Sequence, residues 1–425
     1  MSPIKHITLT LLAALSLPLS AQKVYTLDEC RQMALENNVK ARNAANSLEA
    51  AEQTKKEAFT NYFPTVSATG MGFVANEGLV NMSLMGMSVE MLKDGMLGSV
   101  TLTQPLFAGG QIVNGNKLAE VGVTVSQAQK QMTEDEVRLT VETYYWNVVM
   151  LQEKLVTIKA VEDQLSNIAK DAEAAVKAGV SNQNDLLQVQ LKANDIESAR
   201  LTLENNLSIC RMILAQYVGL GADSIAVASD ISVDQTPEFP SDLLCDHNEA
   251  LRQTPTYALL ESNVKATRLQ QKMTTGKHLP TVAVGASCEV DNLMDEKHSA
   301  VFGFATVSIP LSGWWGGSHA IKKQKLDVAN AENSLSDNSQ LLVIGMQKAW
   351  NDLEESYKQI LVAHKSIDQS AESLRLNKDY YHAGTSTMTD LLNAQTSYQQ
   401  SRDKYVDAYA QFQLKKAQYL QATGR

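Results

Sequence analysis

The sequence predicts a mostly α-helical protein with a small β part, in which long antiparallel helical hairpins accompany four short β-strands. Two runs, residues 111–177 and 319–381, contain no proline and far exceed the roughly 11-residue mean length of globular helices. Each run follows a segment of alternating polar and apolar residues. Each is followed by Ala-Gly, at residues 178–179 and 383–384, and then by a further helical run. Two copies of one plan, strands and then a helical hairpin, are therefore expected.

Equal spacing of the two predicted hairpin tips indicates a tandem duplication. The interval from Gly179 to Gly384 equals the interval from Asp185 to Asp390. Self-similarity at a fixed interval is the signature of an internal repeat. The chain is therefore expected to be one elongated architecture made of two similar halves, and not a set of independent globular domains.

The first residues form a segment of their own. Lys5 supplies a positive start, an apolar core follows, and Leu19-Ser20-Ala21 is a small-residue cleavage site. This pattern predicts a secretory signal peptide over residues 1–21. The mature chain is then divided into a first structural repeat, residues 22–230, and a second, residues 231–425, which interleave into one protomer.

The long runs have the periodicity of coiled coils. At 1.5 Å per residue each would extend roughly 90 to 100 Å. Within the first run, apolar residues recur every seven positions at two seams, interrupted at Glu162. The seam residues are Val141, Val148, Leu155, Ala169 and Val176, and Tyr144, Leu151, Ile158, Leu165 and Ala172. Such heptads predict that each long run pairs with the run after it as an antiparallel hairpin.

Short helices precede the strands in each half. Thr26 and Asp28 are candidate N-caps of a first short helix, and a second is predicted from Val39 to Asn61. Pro64 then ends helical character. The second half repeats this order around Pro280.

Four segments alternate with a period of two and predict β-strands. They run from Thr65 to Val74, from Ser99 to Leu106, from Thr281 to Cys288 and from Val301 to Ile309. Each has one apolar face and one face of small or polar residues, and about ten residues suit a tilted strand of a membrane barrel. A half-buried sheet in a soluble protein would give the same alternation. The signal peptide and the very long flanking helices favour the barrel.

A barrel would have to be shared between subunits. Single-chain barrels begin at about eight strands, and open sheet edges are not tolerated in lipid. Two protomers would supply eight strands and three would supply twelve. The helical hairpins would continue from such a barrel as a tube.

Composition argues against several other classes of function. The formal net charge of −10 argues against a nucleic-acid partner. No phosphate-binding loop or nucleophile motif is present, and the seven histidines have no zinc-like spacing. The sequence therefore predicts no enzyme, no cofactor and no metal centre. A disulfide between Cys30 and Cys245 is conceivable, but the scattered cysteines favour free thiols.

A methionine-rich segment lies between the first two strands. Thioethers are soft ligands for Cu(I) or Ag(I), which would suit metal export, although methionine clusters more often serve as adaptable apolar packing. The residues are Met82, Met85, Met87, Met91 and Met96.

Taken together, these features resemble the outer-membrane efflux proteins, the TolC-like outer membrane factors, over essentially the whole mature chain. The resemblance rests on the duplicated order of elements and on the glycines of the two tips. It rests also on residues 104–110, Gln-Pro-Leu-Phe-Ala-Gly-Gly, which lead into the first long helix, and on their counterpart at 309–317.

The resemblance implies a homotrimer in outer-membrane lipid. Four strands from each chain would form a twelve-stranded β-barrel, and the helical hairpins would form a periplasmic α-barrel that tapers at its far end. Such proteins are passive exit ducts for small molecules or proteins. An inner-membrane pump drives the export through a periplasmic adaptor, a membrane fusion protein. The alternative is a soluble periplasmic or surface coiled-coil interaction protein.

The resemblance also assigns roles at the tips. The adaptor-contacting residues would be Ala178, Gly179 and Val180 in the first half and Ala383, Gly384 and Thr385 in the second. Independently of any partner, a glycine here serves as a positive-φ helix terminator.

A periplasmic gate would lie beside these tips. Asp390 matches the first acid of the family's acidic pair, whereas the second position is Asn393. Tyr381 matches a gate tyrosine, and Ser386 stands where the family has an arginine. Asp185 is the equivalent of Asp390 in the first half. A carboxylate in the first turn of a helix is also stabilised by the helix dipole alone, by about 0.3–1 kcal/mol.

Overall fold

The computed structural model describes residues 23–84, 87–221, 225–229, 231–232, 235–293, 297–311 and 313–425. Within residues 81–91, and at residue 314, the description covers the backbone alone. The predicted signal peptide, residues 1–21, lies outside the described residues. The fold is mostly helical with a small β part, as the sequence predicts.

Eight helices occur in the described part of the chain. Four of them are long, and two of these, α3 with 67 residues and α7 with 70, extend for about 100 Å at 1.5 Å per residue. In chain order the helices are α1 Leu27–Asn37, α2 Val39–Thr60, α3 Gln111–Lys177, α4 Gln183–Val218, α5 His247–Leu251, α6 Pro255–Gly276, α7 Gly313–His382 and α8 Met388–Ala422.

The two hairpins are α3 with α4 and α7 with α8. The structure confirms the predicted bounds of α3. Helix α7 begins at Gly313, before the predicted start at His319. The predicted start falls after Gly316 and Gly317, because glycine is unfavourable within a helix. Each glycine destabilises a helix by only about 1 kcal/mol, however, and tertiary packing readily overrides this cost.

Helix α4 ends where α2 begins, and two asparagines join them. The last carbonyl groups of a helix have no partner within it. Here the Nδ2 of Asn37 donates to the Val218 carbonyl at 3.4 Å, and the Nδ2 of Asn38 donates to the Tyr217 carbonyl at 3.2 Å. The Oδ1 of Asn38 accepts the Lys40 N–H at 2.9 Å and so caps α2. Asn38 therefore serves the end of one helix and the start of another.

Helices α4 and α2 together cover α3 along its length. Ion pairs join α2 to α3 in antiparallel register, Lys40 to Glu136 at 2.6 Å and Lys55 to Glu120 at 3.6 Å. In the second half α6 packs between α3 and α7. Its Arg268 pairs with Glu332 of α7 at 2.7 Å. Each of the two longest helices, α3 and α7, therefore packs against several shorter helices.

Four antiparallel strands form one sheet with two free edges. Its order is β2-β5-β7-β8, so β2 and β8 are the edge strands. The register between β5 and β7 shifts at Pro105/Phe107. In chain order the strands are β1 Val24–Tyr25, β2 Thr65–Val74, β3 Val80–Leu84, β4 Met87–Met91, β5 Asp94–Ala108, β6 Ala226–Val227, β7 Thr281–Asp291 and β8 His298–Ser308.

The four predicted strands are confirmed, but shorter pairings were missed. Strands β3 and β4 form a hairpin within the methionine-rich segment, and the two-residue strands β1 and β6 pair in parallel. Strand β5 begins at Asp94, before the predicted Ser99, because its first residues include glycines that give a weak β signal. Met85 lies outside the described residues, as do the side chains of Met82, Met87 and Met91, so the proposed metal role stays a prediction.

The two faces of the sheet differ in chemistry. On one face, neighbouring strands present small and apolar side chains that are largely exposed. These include Val66, Val74, Val100, Leu102, Val284, Val290, Val301 and Val307. The opposite face carries hydroxyl groups, and Thr101 Oγ1 lies 2.9 Å from Ser287 Oγ.

Three apolar clusters lie along the molecule. The first packs α1 and the end of α4 against the middle of α3, around Val141 and Leu214. The second joins the hairpin tips around Leu165 and Leu391, and the third packs α7 and α8 around Tyr405. Cys30 and Cys245 are free thiols in the structure. Among the helices of the described residues, none combines the length and the apolar character that crossing a bilayer requires.

Replacement of Asn38 by alanine is expected to destabilise the joint between α4 and α2. The change removes the cap of α2 and a bond to a carbonyl of α4, together worth about 2 kcal/mol. Far-ultraviolet circular dichroism of the detergent-solubilised protein should show a lower thermal midpoint. Asn46→Ala, at an exposed position of α2, is the control. Equal thermal midpoints for the two variants would contradict the stabilising role of Asn38 between α4 and α2.

Candidate functional site

The two hairpin tips close with the same backbone geometry. After α3, Gly179 has φ of 74°, its N–H donates to the Val176 carbonyl at 3.0 Å, and the Val180 N–H donates to the Ala175 carbonyl at 3.0 Å. After α7, Gly384 has φ of 72° and the equivalent bonds are 3.0 and 2.9 Å long. A side chain would be strained at either glycine, so these residues are required as helix terminators.

All six residues assigned to the tips are exposed. Val180 is the extreme case, because 79% of this apolar side chain faces solvent at the end of the molecule. The others are Ala178, Gly179, Ala383, Gly384 and Thr385. The tips therefore present small, uncharged side chains that could fit closely against another surface.

Both tip carboxylates bond to the start of the helix that follows. The Ser181 hydroxyl donates to Asp185 Oδ2 at 2.7 Å, and the Asp185 N–H donates to Asn182 Oδ1 at 2.9 Å. In the second tip, the N–H and hydroxyl of Thr387 both donate to Asp390 Oδ2, at 3.2 and 2.6 Å. The side chain of Thr387, which donates to Asp390 and accepts its N–H, holds the pKa of Asp390 below its usual value. Asp390 is therefore an ionised capping residue.

Tyr381 connects the second hairpin to the first. It packs against the apolar cluster that α3, α4 and α8 share at the tips. Burial raises its pKa, the nearby carboxylates of Asp185 and Asp171 raise it further, and the neighbouring Ser181 hydroxyl offsets part of the rise. The structure thus places Tyr381 near Asp185, across the contact between the two hairpins. Asp390 instead bonds within its own loop, and Asn393 is exposed.

A second polar contact between the tips was missed by sequence reasoning. Thr389 Oγ1 donates to Gln188 Oε1 at 3.0 Å and so joins α8 to α4. Each residue lies in the first turns of its helix, near Asp390 and Asp185. Nothing in the local sequence marks these two residues as partners, because their contact depends on how the hairpins are rotated against each other.

A cavity of ≈ 160 Å³ lies behind Tyr381, between the two hairpins. Its lining includes Asp171, Leu374, Lys378 and Gln395. Gln395 is only 1% exposed, and its Nε2 has no hydrogen-bond partner among the described residues. A buried amide without a partner costs about 1–3 kcal/mol. The contact between the tips therefore includes a buried polar group, the Gln395 amide nitrogen, whose hydrogen bonding is not satisfied among the described residues.

Polar groups also line the packing of α8 on α3 further from the tips. Lys154 pairs with Asp407 at 2.6 Å. Burial raises the pKa of the neighbouring Asp403 to about 6, Lys154 opposes the rise and Asp407 adds to it. Asp403 Oδ1 has no hydrogen-bond partner in the part of the chain that is described. Ionised Asp403 therefore weakens the packing of the two hairpins at neutral pH.

Sequence and structure comparisons place these features in a wider group. The profile described as outer membrane efflux protein matches residues 30–220 and 247–425. Among curated proteins, none has a sequence that matches this chain.

Solved structures share the fold at low sequence identity. The outer membrane protein VceC from Vibrio cholerae superposes with a TM-score of 0.78 at 14% identity, over 94% of this chain and 96% of that one. The CmeC outer membrane channel of Campylobacter jejuni gives 0.77 at 13% identity, over 94% and 85%. The open state of the MtrE outer membrane channel of Neisseria gonorrhoeae gives 0.74 at 17% identity, over 94% and 88%.

Asp403→Asn is expected to stabilise the protein at neutral pH, and the gain in stability over the unsubstituted protein is expected to be smaller at acid pH. A carboxyl with a raised pKa in the folded state contributes stability when protonated, and loses that contribution as the pH rises through about 6. The advantage of asparagine over aspartate should grow between pH 5 and 7.5 by the order of 1 kcal/mol, allowing for partial solvent screening.

Thermal unfolding of both proteins across this pH range measures the effect. Asp163→Asn, at an exposed position of α3, is the matched control and should show no such growth. If the difference in stability between Asp403→Asn and the unsubstituted protein does not change with pH, burial does not raise the pKa of Asp403 in the folded protein.

Proposed function

This chain belongs to the outer membrane efflux protein family, and we propose that it is the exit duct of a tripartite efflux or secretion system. It exports small molecules or proteins passively. The observation that carries this proposal is the combination of two helical hairpins, the longer arm of each about 100 Å long, with a sheet that has an apolar face and two free edges. The family is a family of outer-membrane channel proteins and not of enzymes. The alternative of a soluble interaction protein is therefore set aside.

The free edges of β2 and β8 support assembly as a homotrimer. Unpaired backbone groups at a sheet edge are not tolerated in hydrocarbon, so each edge pairs with a neighbouring copy. Two copies would give eight strands, and an eight-stranded barrel is filled by its own side chains. Three copies give twelve strands and are the smallest closed ring that leaves a lumen. The apolar face meets outer-membrane lipid.

The helical part extends from the barrel into the periplasm. In the trimer the hairpins form the wall of an α-barrel, with the tips at its far end. A periplasmic adaptor contacts the tips at residues 178–180 and 383–385, which are small and exposed. An inner-membrane pump supplies the energy through that adaptor.

Residues 22–230 and 231–425 are proposed as two structural repeats of one protomer. Support comes from the equivalent tips at Gly179 and Gly384 and from the family match, which falls in two segments of similar length. The repeats interleave, since α6 of the second packs on α3 of the first.

The gate is proposed at the contact between the tips. Tyr381, Ser181 and Asp185 hold the second hairpin against the first, so that the aperture rests closed. Asp390 contributes a ring of three exposed carboxylates in the trimer. Asn393 and Ser386 add no charge to that ring.

The first test is the native mass of the protein after detergent extraction from outer membranes. Mass measurement by light scattering should give three chains per particle, because only then do all sheet edges pair around an open lumen. A monomer found in the soluble fraction would leave β2 and β8 without partners and would exclude the duct.

Tyr381→Phe is expected to leave the resting channel more open. The change removes the hydroxyl that lies near Ser181 and Asp185 while the ring keeps its packing. In planar lipid bilayers the single-channel conductance should rise severalfold, and cells carrying the variant should become sensitive to large antibiotics. Tyr380→Phe is the matched control, since Tyr380 is 51% exposed and its conductance should stay unchanged.

Asp390→Ala extends the same test to the acidic ring. It should also raise conductance and antibiotic entry, by loosening the start of α8 and by removing a charge from the aperture. If neither Tyr381→Phe nor Asp390→Ala changes conductance, the gate does not lie at these residues.

A further inference from the structure

Two neighbouring phenylalanines of β8, Phe302 and Phe304, lie on the hydroxyl-bearing face of the sheet. Directly paired residues of neighbouring strands project on the same face. Phe302 pairs with Ser287, which in turn pairs with Thr101, and Phe304 pairs with Gly285. Both aromatic rings therefore share a face with the serine and threonine side chains. The residues of that face include Thr65, Ser67, Thr69, Ser99, Thr101, Thr103, Ser287 and Thr306.

The rings lie along the sheet and remain accessible. Their centroids are 6.4 Å apart and their planes meet at 50°. A Cβ atom at Gly285 would clash with the Phe304 Cζ, so the Phe304 ring lies over the glycine of the neighbouring strand. Phe302 is 43% exposed. The pair thus presents aromatic surface to the space above this face, and Gly285 is needed for that placement.

Two carboxylates lie beyond one end of the aromatic pair, next to Phe302 and towards the turn between β7 and β8. Glu289 and Asp291 alternate with the apolar residues of β7 and lie on the same face as Ser287. Glu289 pairs with Ala300, one step along the ladder from Phe302. It forms no ion pair among the described residues, and Asp291 Oδ1 lies 3.9 Å from the Nδ1 of His298, which carries a positive charge only when protonated. Negative charge therefore lies next to the exposed ring of Phe302.

We propose that Phe302, Phe304, Glu289 and Asp291, the aromatic–acidic patch, bind lipophilic organic cations inside the barrel. This rests on the proposed function, because the apolar face meets lipid and the patch then faces the lumen. Three protomers place three patches around one lumen. The face of an aromatic ring attracts cations, and the carboxylates complement their charge. Small inorganic ions keep their hydration shells and pass without stacking on the rings.

Block of single-channel current by tetraphenylphosphonium tests the proposal. With the full-length protein in planar lipid bilayers, this ion should reduce the current at a concentration at least tenfold lower than tetraethylammonium, which has no aromatic groups. Phe302→Leu keeps apolar bulk but loses the ring, and should weaken the block by about tenfold at unchanged open conductance. Glu289→Gln, which preserves the strand pattern, should weaken it severalfold.

Val307→Leu is the matched control on the opposite face of β8 and should leave the block unchanged. If the channel conducts but Phe302→Leu and Glu289→Gln are blocked like the unsubstituted protein, the patch is refuted and the duct stands. If the purified protein forms no channel, the duct and the patch are both refuted, because no lumen exists for the patch to line.

Discussion

The apolar seam of α3 is the constraint on which the rest of the structure depends. A helix of 67 residues exposes a stripe that no single partner of this chain covers from end to end. Helix α4 covers the part near the tip, α2 covers the part near the sheet, and α8 and α6 pack on its other side. The two hairpins and the short helices therefore follow from one requirement, that apolar surface be removed from water along about 100 Å.

Helix ends and strands, which depend on residues close together in the sequence, could be predicted. Contacts that depend on how distant helices and strands are placed could not. Pro64 and Gly179 mark the ends of helices by their own backbone chemistry, and alternation identifies strands without knowledge of their neighbours. The bonds of Asn37 and Asn38 to α4 join residues about 180 positions apart, and no local pattern specifies them. The two-residue strands β1 and β6 are too short to show any period.

The candidate site shows the same division. Asp390 was expected at the gate from its position, and its spacing from Thr387 is that of a capping box, a signal that could have been read directly. The hydrogen bond between Thr389 and Gln188 could not be predicted from the sequence, because it depends on the rotation of one helical hairpin against the other. Buried polar groups such as Gln395 lie at this same contact, so the tips meet through interactions that are specific but only partly satisfied.

The joint between α4 and α2 has a mechanical consequence. No continuous ladder of backbone bonds crosses it, since Asn37 and Asn38 use their side chains to reach the last carbonyl groups of α4. Twist in α4 therefore reaches α2 through side-chain contacts, including those that both helices make with the continuous helix α3, and not through a shared backbone ladder.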